Sequence, residues 1–283
     1  EKAIQTTKKL IATKKIKTNL SNQDKLLLAD YYKNLGAYYN RKGDFQNALA
    51  CYNNIIQYFD LNQLEIIKKY PSHLNSIGTI LANQKNCKEA LHYYRTSILL
   101  RQSHGNEKKK QQTTIRTYNE MARCWKELEN FDSVAYFAQK AIHIPLDYEK
   151  YYSYLFLAEG SLSKKDGANA INFLEKSLSF YQDNKRKDNN FLIYWNIKFS
   201  LANALVGKPN ISLYHIQKSL NLNNRVTKDK IDFYTNPSLK NISFPIKFLE
   251  SLQLKAQLFT DYSHKDKDQL AALSTYQIAT QWI

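Results

Sequence analysis

The chain has 283 residues, 43% of them hydrophobic, yet only 7 Gly and 5 Pro, which suits one helical array better than two separately wrapped cores. No apolar run approaches the roughly 18 residues of a membrane span, and the charged first turn lacks the apolar core of a signal peptide, so the chain is expected to be soluble and cytoplasmic unless a leader has been removed. A formal charge of +16 suits nucleic acid, an acidic protein or an anionic surface without choosing among them.

Taken in order, Glu1-Lys2-Ala3-Ile4 with Thr7 and Leu10 reads as the second helix of a pair whose first is missing, an orphan at the start. Three superposable segments follow: Leu35-Gly36-Ala37-Tyr38-Tyr39, Ile77-Gly78-Thr79-Ile80-Leu81 and Met121-Ala122-Arg123-Cys124-Trp125. Each has a bulky residue, a small one, then a bulky one three later, and 12 residues after the small residue stand Ala48, Ala90 and Val134. Copies at Leu157-Ala158 with Ala170, and at Leu201-Ala202 with Ser212, continue the series, the last with a spacing of 10. Four and seven residues further on lie Tyr52 and Ile55, Tyr94 and Ser97, Ala138 and Ala141, Leu174 and Ser177, and Ile216 and Ser219.

Small residues at matched places let two helix backbones approach while bulky neighbours fill the groove. The turns fit helix hairpins: Gly43-Asp44, Asp166-Gly167 and Gly207-Lys208-Pro209 supply left-handed caps and an N-cap carboxylate. The small residues of successive first helices are 42, 44, 36 and 44 apart, while the spacing inside hairpins is nearly constant. The surplus therefore lies between hairpins, as longer helices or as loops such as Ser103 to Gln112 and Asp183 to Asn190.

This pattern resembles the tetratricopeptide repeat, over nearly the whole chain. The resemblance implies an all-α fold: a right-handed superhelical solenoid of about six antiparallel helix pairs plus the orphan helix, a single domain over 1–283. The repeats are expected near 29–62, 71–102, 115–146, 151–182 and 191–223, with a terminal hairpin at 245–283 in which Ala256 and Ala272 are the small residues and Tyr276 and Ala279 lie below them. It also implies a non-catalytic scaffold that binds a protein or peptide.

The segments from Asn236-Pro237-Ser238-Leu239, Leu249-Glu250-Ser251-Leu252 and Ala271-Ala272-Leu273-Ser274 onward resemble, over roughly the last 50 residues, bacterial proteins in which such an array precedes a CHAT domain, a caspase-like cysteine protease fold. That resemblance implies the sensor or docking half of a longer protein and gives these residues no activity.

Little in the sequence carries chemistry. The six histidines lie at least 12 residues apart, so none forms a local ligand pair. Cys51, Cys87 and Cys124 lack zinc spacing and read as small buried hydrophobes. The scattered glycines form no phosphate loop. Neither a metal nor a cofactor is expected. Clusters such as Lys108-Lys109-Lys110 and Lys185-Arg186-Lys187 read as solvated charge. Nucleic-acid binding with tyrosines as stacking platforms is one alternative, the sensory array of a bacterial signalling protein another.

Stacked hairpins present their first helices on one face. Non-packing positions there are Lys33, Asn34, Asn40 and Arg41, then Asn75, Ser76, Thr79 and Asn83, then Asn119, Glu120, Arg123 and Lys126, with Glu159, Asn196 and Asn203 later. An asparagine amide both donates and accepts, so a column of them can pair with an extended peptide backbone. Asn34, Arg41, Asn75, Asn119 and Arg123 are the candidate partner-binding residues. A carboxylate clamp for chaperone tails is not expected, because Lys33 matches it but Ala37, Ser76 and Glu120 do not.

Overall fold

A computed structural model describes residues 21–58, 71–101, 106–183, 188–225, 232–262 and 265–281, with the isolated positions 5, 9 and 12. The expected orphan helix over 1–10, apart from positions 5 and 9, lies outside the described residues, as do residues 103–105 of the loop expected at 103–112 and residues 184–187 of the one expected at 183–190.

Among the described residues every regular element is helical, so the fold class is all-α of the tetratricopeptide-like type. The elements are α1 (Asn22–Arg41), α2 (Phe45–Tyr58), α3 (Pro71–Asn83), α4 (Cys87–Arg101), α5 (Glu107–Glu127), α6 (Phe131–Ile142), α7 (Lys150–Ser163), α8 (Gly167–Gln182), α9 (Asn189–Leu205), α10 (Pro209–Asn223), α11 (Pro245–Asp261) and α12 (Asp266–Gln281). The chain forms two compact units, 1–133 and 134–283, the boundary falling after the first three residues of α6. The odd-numbered helices are the first members of hairpins, here called A, and the even-numbered ones the second, B.

In the first unit the glycines of helix A are fixed by tyrosines of helix B. A Cβ placed on Gly36 would stand 2.8 Å from the Tyr52 ring, and one on Gly78 would stand 2.7 Å from the Tyr94 ring. Real Cβ atoms do not approach so closely, so the ring occupies the space a side chain would need. In the second unit alanine or serine replaces glycine and a smaller partner replaces the ring: Ala158 and Leu174 share one core cluster, and Ser200 and Ile216 are fully buried.

The hairpin turn is built the same way five times. Gly43, Lys85, Glu129, Lys165 and Gly207 all have positive φ, and each stands five residues before the small residue of its helix B. The next amide closes the turn on helix A: Asp44 to Tyr39, Asn86 to Leu81, Asn130 to Trp125, Asp166 to Ser161 and Lys208 to Asn203, at 2.8–3.0 Å. Asp44 and Asp166 then cap helix B, accepting from the amides of Asn47 at 3.2 Å and Asn169 at 3.1 Å. The fifth copy keeps this geometry with Ser200, not Ala202, as its small residue: Ser200 is fully buried, stands 12 residues before Ser212 and three before the turn acceptor Asn203. It also exchanges hydrogen bonds with Ser212, Ser200 Oγ donating to Ser212 O at 2.9 Å and Ser212 Oγ donating to Ser200 O at 2.8 Å. The expected copy at Ala202, with its spacing of 10, is two residues late, because Ala202 packs on Gly167 of the preceding hairpin instead. The residues between hairpins go partly into helix length: α5 starts at Glu107 behind an Asn106 cap and runs for 21 residues, so most of the loop expected at 103–112 is helix.

Hairpins of the second unit are linked by polar contacts between aromatic layers. Trp195 Nε1 donates to Leu174 O at 2.8 Å, and Tyr181 stacks on Phe191 with centroids 4.4 Å apart. The stretch 232–244 between α10 and α11 is irregular but anchored. Lys255, on α11 and 1% exposed, donates to Gln217 Oε1, Thr235 O and Asn236 Oδ1 at 2.8, 2.9 and 3.0 Å. Three acceptors saturate an ammonium, which is how a lysine is tolerated there, although burial pushes its pKa down to about 7, the Asp232 charge opposing this. In α12 the buried positions are Ala271, Ala272, Thr275 and Ala279. Ala271 with Thr275 four later keeps the spacing of the other B helices, and Tyr276 is 38% exposed; the expected pairing of Ala272 with Tyr276 is one residue late.

Candidate functional site

In the first unit the A helices α1, α3 and α5 are neighbours, and their shared face carries a connected polar ladder. Asn83 Nδ2 donates to Asn40 Oδ1 at 3.3 Å, and Arg123 Nη2 donates to Asn83 Oδ1 at 3.4 Å. Arg123 also grips one oxygen of Glu120, from Nε at 2.9 Å and Nη2 at 2.6 Å. Beneath this pair Tyr94 OH lies 3.4 Å from Glu120 Oε2 and 3.3 Å from Thr79 Oγ1, its single proton serving one acceptor at a time. Burial and the Glu120 charge push the Tyr94 pKa up, so the phenol remains a donor at every physiological pH. Burial works against the Arg123 charge, but Glu120 more than offsets it and the guanidinium pKa is raised. The ladder thus runs across three helices with its one cation already compensated.

The sequence-predicted residues fall at different depths. Asn34 is exposed on α1. Arg41 is the last residue of α1, and its side chain lies outside the described residues. Asn75 is 9% exposed and spends its amide on α5, donating Nδ2 to Thr117 Oγ1 at 2.7 Å and accepting from that hydroxyl at 3.0 Å. Asn119 is 6% exposed. Arg123 is half-buried in the ladder. The structure therefore brings Arg123 together with Asn40 and Asn83, and places Asn75 and Asn119 in the packing layer. Asn40 and Asn83 were visible as polar positions on the right helices. Their pairing was not, because Asn40 stands four residues past its glycine and Asn83 five.

The second unit treats its A-helix polar residues differently. Asn196 and Asn203 are buried and turn their amides onto the helix carbonyls of Leu192 at 2.7 Å and Phe199 at 2.8 Å. Asn196 Oδ1 meets His215 Nδ1 at 2.8 Å. Glu159 is buried and accepts from Tyr194 OH, and Lys198 and Lys247 lie 4.7 and 4.8 Å from the Tyr194 ring centre.

Catalytic groupings are sparse. Cys87 is buried whereas His92, on the same helix, is exposed. Burial raises the Cys124 pKa, and contact with Cys87 raises it further, which disfavours the thiolate. Among the described residues no group of three or more His, Cys, Asp or Glu is placed to hold a metal ion, and no helix is long and apolar enough to cross a membrane.

The hairpin geometry and the A-helix face define a helical-repeat scaffold of the kind that binds proteins. Comparison agrees: residues 72–104, covering α3 and α4, match the tetratricopeptide repeat family. In structure the chain is similar to the apo form of RapI, with a TM-score of 0.64 at 11% identity over 89% of this chain and 83% of that one. It is also similar to BtubC (BKLC) from P. vanneervenii, with a TM-score of 0.60 at 9% identity over 84% and 90%. A third similar structure is PilF of Pseudomonas aeruginosa, at 0.58 and 14% identity over 91% and 92%. At these identities the likeness is one of fold. No protein of curated function matches in sequence.

Proposed function

We propose that the chain is a protein-interaction module that holds an extended segment of a partner along α1, α3 and α5. The observation that carries this reading is the ladder Asn40–Asn83–Arg123–Glu120, which crosses three successive A helices. Amides that pair with one another can exchange those weak bonds, at 3.3–3.4 Å, for bonds to a peptide backbone at small net cost. Exposed Asn34 extends the same surface. Because Arg123 is neutralised by Glu120, the ladder selects backbone rather than charge, and binding should depend little on salt, unlike attachment to nucleic acid. Asn75 supports the site from below by bonding α3 to Thr117 of α5, Asn119 is buried on α5, and Arg41 follows Asn40 at the end of α1.

The test is a pull-down with the full 283-residue chain and with Asn34→Ala/Asn83→Ala, whose sites are exposed, partners being identified by mass spectrometry. A partner lost by the folded double variant supports the site; one held equally well by it rejects the site. A finer reading, the docking array of a caspase-like protease, rests on the residue pattern of 236–279. It is tested in the full-length gene, where a downstream His and Cys pair in such a fold supports it and a kinase or DNA-binding output domain overturns it.

A further inference from the structure

The B helices of the second unit present an ordered surface on their other side. Taking the small buried residue of each as reference, positions one before, two after and six after it fall within about 60° of one another on a helical wheel and point away from helix A. In α10 these are Ile211, Tyr214 and Lys218; in α12 they are Leu270, Leu273 and Gln277. In α6 the latter two are Tyr136 and Lys140, and in α8 they are Asn172 and Lys176.

Exposure there is not what a solvated face requires. Tyr136 is 52% exposed, Ile211 42%, Tyr214 40%, Leu270 66% and Leu273 56%. Most of the large exposed hydrophobes described in this unit stand at just two positions of the repeat. The third position is basic in three successive B helices, where Lys140, Lys176 and Lys218 are all exposed. Lys140 and Lys218 lean on their own tyrosines, with Nζ 5.2 and 5.9 Å from the ring centres, an arrangement that leaves the ammonium at the rim of an apolar patch. In α8 the lysine is flanked by exposed Glu175, making that the weakest rung.

We propose that this outward side of the B helices docks onto an anionic lipid surface. Aliphatic and tyrosine side chains suit the headgroup boundary, and lysines beside them suit acidic headgroups. No described helix can span a bilayer, so the contact is interfacial. Single-stranded nucleic acid would use the tyrosines and lysines but has no use for Ile211, Leu270 and Leu273, which is why lipid is the occupant the residues favour. The site is separate from the ladder on the A helices.

The full chain is floated with vesicles of phosphatidylcholine alone and of phosphatidylcholine carrying about 30 mol% phosphatidylserine. Flotation with the acidic vesicles and not the neutral ones is expected. Each lysine near an acidic surface multiplies partitioning about fivefold, so Lys140→Gln/Lys218→Gln should weaken it about 25-fold. Leu270→Ser/Leu273→Ser should abolish whatever binding survives high salt, while circular dichroism of both variants stays native. Absence of flotation, or equal flotation with neutral vesicles, overturns the proposal. So does binding to an oligouridylate that is lost in Tyr136→Ala/Tyr214→Ala but indifferent to the leucine pair, which would make nucleic acid the occupant.

Discussion

Two side chains show how single residues set this architecture. Tyr52 lies where a Cβ on Gly36 would be, at 2.8 Å. Gly36→Ala should therefore cost about 1–3 kcal/mol through overpacking, and Tyr52→Leu about as much through a cavity and lost contacts. Combined, the two should cost less than their sum, because they recreate the alanine-with-leucine arrangement of Ala158 and Leu174. A double-mutant cycle from urea midpoints measures this, and strict additivity would refute the packing account. His215 is the second case. Burial first, then the charge of Lys218, lowers its pKa from 6.5 to about 4. Between those values the unfolded chain takes up a proton that the native ring refuses, so stability falls as pH drops from about 6.5 to 4 and changes little below. The whole shift is worth at most about 3 kcal/mol, less to the extent that the ring meets solvent. Urea titrations at either end of that window should show the loss in the native chain, and a much smaller one in His215→Gln.

At the scale of elements, the hairpin turn is the repeating part. Left-handed backbone costs a residue with a Cβ about 1–2 kcal/mol, and Lys85 and Lys165 adopt it at φ 63° and 59°. Gly43 and Gly207 occupy the same place at 76° and 71° without that strain. Lys85→Gly and Lys165→Gly should each raise stability by about 0.5–1 kcal/mol, the greater freedom of glycine in the unfolded chain offsetting part of the relief. A raised midpoint in thermal unfolding checks this; a lowered one would mean that the lysine side chains contribute more than their backbone costs. The helix pairs were legible because small residues at constant spacing are demanded by close approach. The register of α12 was not: Ala271 and Ala272 are both small, and only burial of Thr275 over Tyr276 decides which one faces helix A.

For the whole molecule, both candidate faces follow from repetition. A residue at a fixed offset from the small position recurs at a fixed azimuth, so the A helices of the first unit gather polar side chains and the B helices of the second unit gather exposed apolar and basic ones. The sequence by itself determined the all-helical class, the hairpins and their turns, because these depend on local spacing and on which residues admit close backbones or left-handed φ. It also indicated which helices would carry the polar face. Tertiary structure alone decided how far each polar position is covered. Lys33 and Asn75 both stand three positions before the glycine of an A helix, yet Lys33 is partly exposed while Asn75 is sealed against Thr117 of α5. That difference depends on how far each helix is turned and shifted against the next, a long-range quantity set by side chains some 40 residues apart in sequence. The same cause lies behind the ladder. Asn40, Asn83 and Arg123 hold three different places in their repeats, and only the accumulated offset of one hairpin on another brings them into a row.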